Sequence, residues 1–186
     1  LLYGLLDPML VAPAQQPAAW VVRIAALSVS WAVLAFSFHP AFARVGQFAL
    51  ALTGLAASGG LIAILWPLPV EASAYFYPGL VLATFFTYNF IGTRFVYALA
   101  VGIVVLVAYN VCFGLFRDYP AELLVIHSVF IISANLMGGG AGYLAEYQKR
   151  KIFLRETELE RERQHHIDRA LHDRLTGLPN RELLED

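Results

Sequence analysis

Cysteine is nearly absent: Cys112 is the only one in 186 residues, so no intrachain disulfide can form. It lies in an apolar run and reads as a small core residue. Charge is also scarce where most of the chain lies. Of the 13 Lys and Arg and 14 Asp and Glu, only Asp7, Arg23, Arg44, Glu71, Arg94, Arg117, Asp118 and Glu122 precede Ala145. A formal net charge of -1 offers no basic surface for nucleic acid, which is not an expected partner. Gly138, Gly139 and Gly140 follow no strand and precede no Gly-Lys-Ser/Thr, which argues against a phosphate-cradling loop. No secretory signal pattern is visible, and no set of side chains has metal-ligand spacing.

What is present is apolar. The chain is 59% hydrophobic with mean hydropathy +0.61, the composition of a membrane protein. Long apolar runs at residues 20–38, 48–66, 75–91, 95–116 and 123–144 each suit a crossing that needs about 20 residues. Residues 1–6 are too short for this and read as the stub of a first helix, with an interfacial turn as the alternative. The expected fold is therefore all-α: a polytopic helical bundle of five complete spans plus a stub. Its domains are a transmembrane sensor or anchor bundle at 1–144, a charged stalk helix at 145–172 and a C-terminal piece at 173–186.

Basic residues in short loops set the expected orientation. Arg44, Arg94 and the run Lys149, Arg150, Lys151 fall on one side, the cytoplasmic one, which also receives the C-terminus. Glu71, Arg117, Asp118 and Glu122 fall on the other.

Polar side chains inside a bilayer are expensive and mark interiors, partners or ligands. The candidate ligand-binding residues are Arg23, Tyr88, Asn89, Asn110, His127 and Asn135. Arg23 reads as snorkelling to the outer headgroups, or as holding an anionic or polar ligand group. His127 and Asn135 share a helix face with Ile131 between them. The asparagines suit interhelical hydrogen bonds, and a single histidine suits packing better than metal or haem ligation. The aromatics Tyr75, Phe76, Tyr77, Phe85, Phe86, Tyr88 and Phe90 crowd one short span; they suit a small or lipid-like ligand, or simply the membrane interface.

Ala134, Gly138 and Gly142 form a small-residue stripe for close helix packing, within one bundle, at a dimer seam or at a pivot. Beyond it, residues 146–172 lack Gly and Pro, space Ile152 and Leu159 seven apart, and offer Glu146 with Arg150, Glu158 with Arg161 and Glu160 with Arg163 as ion pairs. This pattern predicts a marginal parallel coiled coil, hence a homodimer through the last span and stalk, against the alternative of one solvated helix.

The stalk ends in Asp173, Arg174, Leu175, Thr176, Gly177, Leu178, Pro179, Asn180 and Arg181. Gly177 suits a helix exit, Pro179 prevents immediate resumption and Asn180 suits a new N-cap. The pattern Asp-x-Leu-Thr-Gly-Leu-x-Asn-Arg closely resembles the opening of the GGDEF domain of bacterial diguanylate cyclases. The resemblance implies a membrane sensory region in the bacterial inner membrane, relaying a signal to cyclic-di-GMP synthesis from two GTP with Mg²⁺. It also implies that Asp173, Leu175, Thr176, Gly177, Leu178, Pro179, Asn180 and Arg181 form a coupling joint. The family's catalytic, guanine-binding and metal-binding positions match nothing in residues 1–186, so no catalytic residue, metal ligand or resident cofactor is assigned here, and the chain alone is expected to be inactive. The alternatives are the membrane region of a GGDEF-EAL phosphodiesterase and a plain membrane anchor. His172, Asp173 and Arg174 lack the following proline of a histidine-kinase phosphoacceptor box.

Overall fold

Proline sets most of the helix boundaries in the computed structural model, which describes residues 4, 5, 8 and 11–171. The coupling joint at Asp173, Leu175, Thr176, Gly177, Leu178, Pro179, Asn180 and Arg181 lies outside the described residues, as does most of the N-terminal stub. All regular elements among the described residues are helical. Helix α1 (Gln16–Phe36) starts ahead of the expected Trp20 because Pro17 fits a first turn, where its missing N–H costs nothing. Helix α2 (Phe42–Leu65) begins after Pro40 and stops before Pro67. Helices α5 (Phe95–Leu115) and α6 (Ala121–Leu171) are separated by a short loop ending at Pro120.

The expected third span is not one helix. Pro78 has no N–H for the carbonyl of Ala74, and the run divides into α3 (Val70–Phe76, 7 residues) and α4 (Pro78–Asn89, 12 residues). Tyr77 between them keeps helical angles (φ -58°, ψ -30°), and its N–H reaches the Ser73 carbonyl at 3.2 Å. Among the described residues four helices are individually long and apolar enough to cross a membrane, namely α1, α2, α5 and α6. Together α3 and α4 cover roughly 30 Å at about 1.5 Å per residue, the thickness of a hydrocarbon core.

Contacts at the two ends of the bundle show that this interrupted pair also traverses it. At one end, the Arg94 N–H donates to Gln47 Oε1 (2.7 Å), which joins the start of α5 to the start of α2. At the other, the Arg117 guanidinium joins the end of α5 to the Leu65 carbonyl of α2 (3.2 Å) and to the carbonyls of Trp66 and Leu68. Helices α2 and α5 are therefore parallel, and the chain between them must return from the Leu68 end to the Gln47 end. It turns at Gly92, whose φ of +82° is left-handed and suits glycine. The core, with Leu65, Leu68, Phe76, Leu80, Phe113 and Ile131 fully buried, concentrates towards the Leu68 end.

The chain forms two compact units that divide between Tyr143 and Leu144. The described part of the second unit is helical. The Glu146–Arg150 and Glu160–Arg163 ion pairs form in it, and Ile152, Leu154 and Leu159 are exposed.

Candidate functional site

In an apolar bundle each buried polar group needs a partner, so the polar pairs reveal how the helices are tied. Three such layers lie on α6. In the first, His127 is only 1% exposed, its Nδ1 lies 2.6 Å from the Tyr109 hydroxyl of α5, and the Tyr77 ring stacks on its imidazole at 4.0 Å and 15°. Phe130 packs on the same Tyr77 ring, and Tyr119 borders the imidazole. Tyr119 in turn hydrogen-bonds Ser73 of α3 at 2.6 Å. This cluster gathers α3, the Pro78 interruption, α5 and α6 around one histidine.

In the second layer Ser128 donates to Asn110 Oδ1 (3.0 Å), while Asn110 Nδ2 turns back to the Leu106 carbonyl. In the third, the Tyr88 hydroxyl of α4 donates to Asn135 Oδ1 (3.0 Å), and Asn135 Nδ2 bonds the Ile131 carbonyl. A Cβ on Gly102 of α5 would stand 1.8 Å from that same Oδ1, so a side chain there would force the Asn135 amide to move. Tyr109 of α5 meets His127 of α6, whereas Gly102, earlier on α5, meets Asn135, later on α6, which makes α5 and α6 antiparallel.

The Ala134, Gly138 and Gly142 stripe faces α4. Cβ positions built on Gly138 and Gly142 would meet Tyr88 Cδ2 at 3.2 Å and the Tyr88 carbonyl at 3.1 Å, and Gly139 lies against the same ring. Tyr88 thus sits in a glycine-lined socket capped by Asn135. The stripe is occupied from within the chain, so a seam with a second copy along the last span would need another face of α6.

The six sequence-derived residues therefore do not form one pocket. His127 and Asn110 occupy neighbouring layers, Tyr88 and Asn135 meet in a third, and Asn89 bonds back to the Phe85 carbonyl of its own helix (2.9 Å). Arg23 lies apart, 8% exposed, beside a cavity of about 210 Å³ between α1 and α2. Of the crowded aromatics, Phe76 and Tyr88 are buried and Tyr77 stacks on His127, whereas Tyr75, Phe86 and Phe90 face outward.

Sequence reasoning passed over Tyr109, Tyr119, Ser73, Ser128 and the clamp by Arg117. Tyr109 precedes Asn110 in an all-apolar run, and its hydroxyl was a legible signal. From spacing alone Arg117 reads as a loop charge. Its fork takes up carbonyls that the end of α2 leaves without helical donors, and its guanidinium lies 5.9 Å from the centre of the Phe113 ring.

Among the described residues no three His, Cys, Asp or Glu side chains gather as a metal site. The arrangement joins helices through hydrogen bonds, ring stacking and close glycine contacts. No curated protein and no solved structure matches the chain. The model of one family, MASE8, matches residues 7–160; its members are membrane-associated sensor domains, often in signalling proteins.

Proposed function

The chain belongs to the MASE8 family of membrane sensor domains, and from that premise we propose that it senses a ligand in or at the bundle and passes the state of α6 to a GGDEF diguanylate cyclase. The observation that carries the relay is the double grip on α6. The interrupted crossing holds it through Tyr77 on His127 and through Tyr88 on Asn135 and the glycine socket. A change in the packing of α3 or α4 biases α6 at both places, and packed interfaces favour discrete arrangements over graded ones.

The output assignment is supported by the likeness of Asp173 to Arg181 to the opening of GGDEF domains. GTP and Mg²⁺ chemistry is assigned to no residue of this chain. In this reading the protein lies in the bacterial inner membrane, with the Gln47 end and its Arg44 and Arg94 in the cytoplasm. The chain pairs with a second copy through the exposed apolar face of α6, which includes Val125, Val129, Ile132 and Leu136, and through the stalk strip of Ile152 and Leu159.

Each residue inserted into a helix turns everything beyond it by about 100°. In the protein with its output domain, insertion of one or two residues at Glu156 is expected to change cyclic-di-GMP production by at least tenfold. Insertion of seven residues should restore it. Equal production across the series would overturn the relay.

A further inference from the structure

Two sides of the stalk differ. Lys151, Ile152, Arg155 and Leu159 border one groove along it, whereas Arg161, Gln164 and His165 border another. The first side holds the exposed apolar pair, Ile152 at 57% and Leu159 at 58%.

Seven-residue spacing makes Ile152, Leu159 and His166 equivalent positions of one seam, with Arg155 and Glu162 as the intervening ones. With a second copy parallel and in register, the residues that flank this seam carry opposite charges. Lys151 of one copy comes to Glu156 of the other, and Glu158 comes to Arg163. Both cross pairs are attractive in that register. Within one chain Arg163 reaches Glu160 only at 3.9 Å, a loose pair that Glu158 of a second copy can replace.

Beyond Leu159 the seam changes character, because its next two positions are Glu162 and His166, both exposed. Four residues apart on a helix, their Cβ atoms lie about 5–6 Å from each other on one side, so the two side chains can reach one metal ion together. Glu160 is differently placed, engaged by Arg163 and by Gln164 Nε2 at 3.1 Å. One chain offers two ligands here, short of a group of three. Pairing doubles them to two carboxylates and two imidazoles about the axis of the pair, and four such O and N donors suit tetrahedral Zn²⁺. Pairing also creates the need for a cation. The two Glu162 carboxylates approach across the seam as like charges, and a dication between them turns repulsion into attraction. Arg155, at the equivalent position one heptad earlier, has a long stem that carries its charge out of the seam.

We propose that two parallel stalks bind one divalent transition metal ion, for which Zn²⁺ is the matching probe, through Glu162 and His166 of each copy, and that the ion closes the seam beyond Leu159. The site is incomplete in one chain, and it rests on the pairing of copies in the reading above.

The untagged full chain carrying Cys112→Ser is prepared in detergent, and Arg161→Cys, on the side away from the seam, takes a nitroxide label. Zn²⁺ binding is measured by competition with a chromophoric chelator, and label-to-label distances by dipolar electron spin resonance. The chain should take one Zn²⁺ per pair, and the ion should narrow the distance distribution at least twofold. Glu162→Gln and His166→Gln should each weaken binding by about tenfold or more and abolish the narrowing. Glu160→Gln and His165→Gln should leave both unchanged. All four side chains are exposed, so these substitutions leave the helix intact. Absence of binding, one Zn²⁺ per chain, binding unmoved by His166→Gln, or a discrete label distance that Zn²⁺ does not sharpen overturns the shared site and leaves the pairing of stalks standing. Absence of any label-to-label distance, with or without Zn²⁺, overturns the pairing and the site together. Neither result depends on the insertion series at Glu156, which tests the relay.

Discussion

At the scale of single residues, the bundle depends on places where one atom more or less decides the packing. Gly102 is the sharpest. An added methyl would occupy the space of Asn135 Oδ1, and inserting one methyl group into a filled site costs about 1–3 kcal/mol. Gly102→Ala should lower the thermal midpoint of the purified chain, and Asn135→Ala in the same molecule should recover part of the loss. Additive losses in that double-mutant cycle would show that the two residues do not compete for one space. The asparagine was legible as an interhelical hydrogen-bonding group; its contest with Gly102 was not, because Gly102 looks like any small residue in an apolar run. His127 is similar. Its face on the helix follows from spacing, while the Tyr109 hydroxyl and the Tyr77 ring that hold it come from two other segments.

At the scale of elements, the question is what fixes α4 to α6. Tyr88 contributes a hydrogen bond to Asn135 and a ring in the glycine socket, and typical magnitudes separate the two. An interhelical hydrogen bond in a membrane averages about 0.6 kcal/mol with a maximum near 1.7, whereas truncating a buried aromatic ring costs about 3–5 kcal/mol. Tyr88→Phe should therefore be mild and Tyr88→Ala severe when unfolding is followed in detergent or nanodiscs. Near-equal losses would mean that the hydroxyl, not the socket, holds the helix pair. The stripe of Ala134, Gly138 and Gly142 announced a close approach, yet its partner was open between a neighbouring helix and a second chain. Packing against Tyr88 resolves that for this face, and the element that pairs there is the one interrupted by Pro78.

At the scale of the whole molecule, two ties, Arg94 to Gln47 and Arg117 to the end of α2, make α3 and α4 the return pass between the parallel helices α2 and α5. The path is testable with single cysteines in a Cys112→Ser background. Glu71→Cys and Asp118→Cys should be labelled from one side of the membrane by an impermeant maleimide, and Ser37→Cys and Thr93→Cys from the other, the cytoplasmic one. Labelling of Glu71→Cys and Thr93→Cys from the same side would mean that α3 and α4 do not cross. The ties also account for the arginine on the side expected to be poor in basic residues: the Arg117 guanidinium is engaged by α2 carbonyls instead of standing as a free loop charge.

The sequence by itself determined the class, because burying so many apolar residues in runs near the thickness of a bilayer leaves few architectures that satisfy the backbone. It also located the charged helix and its terminal motif, since composition and local spacing are one-dimensional properties. Helix ends were less legible: Pro78 interrupts a run that hydropathy alone reads as continuous. Which polar groups meet was decided only in three dimensions, since partners such as Tyr88 and Asn135 lie far apart along the chain and pair through packing. The same holds for the space beside Arg23, which exists because Ala57 and Gly60 of one helix face Ala26 of another, a coincidence that no single segment records.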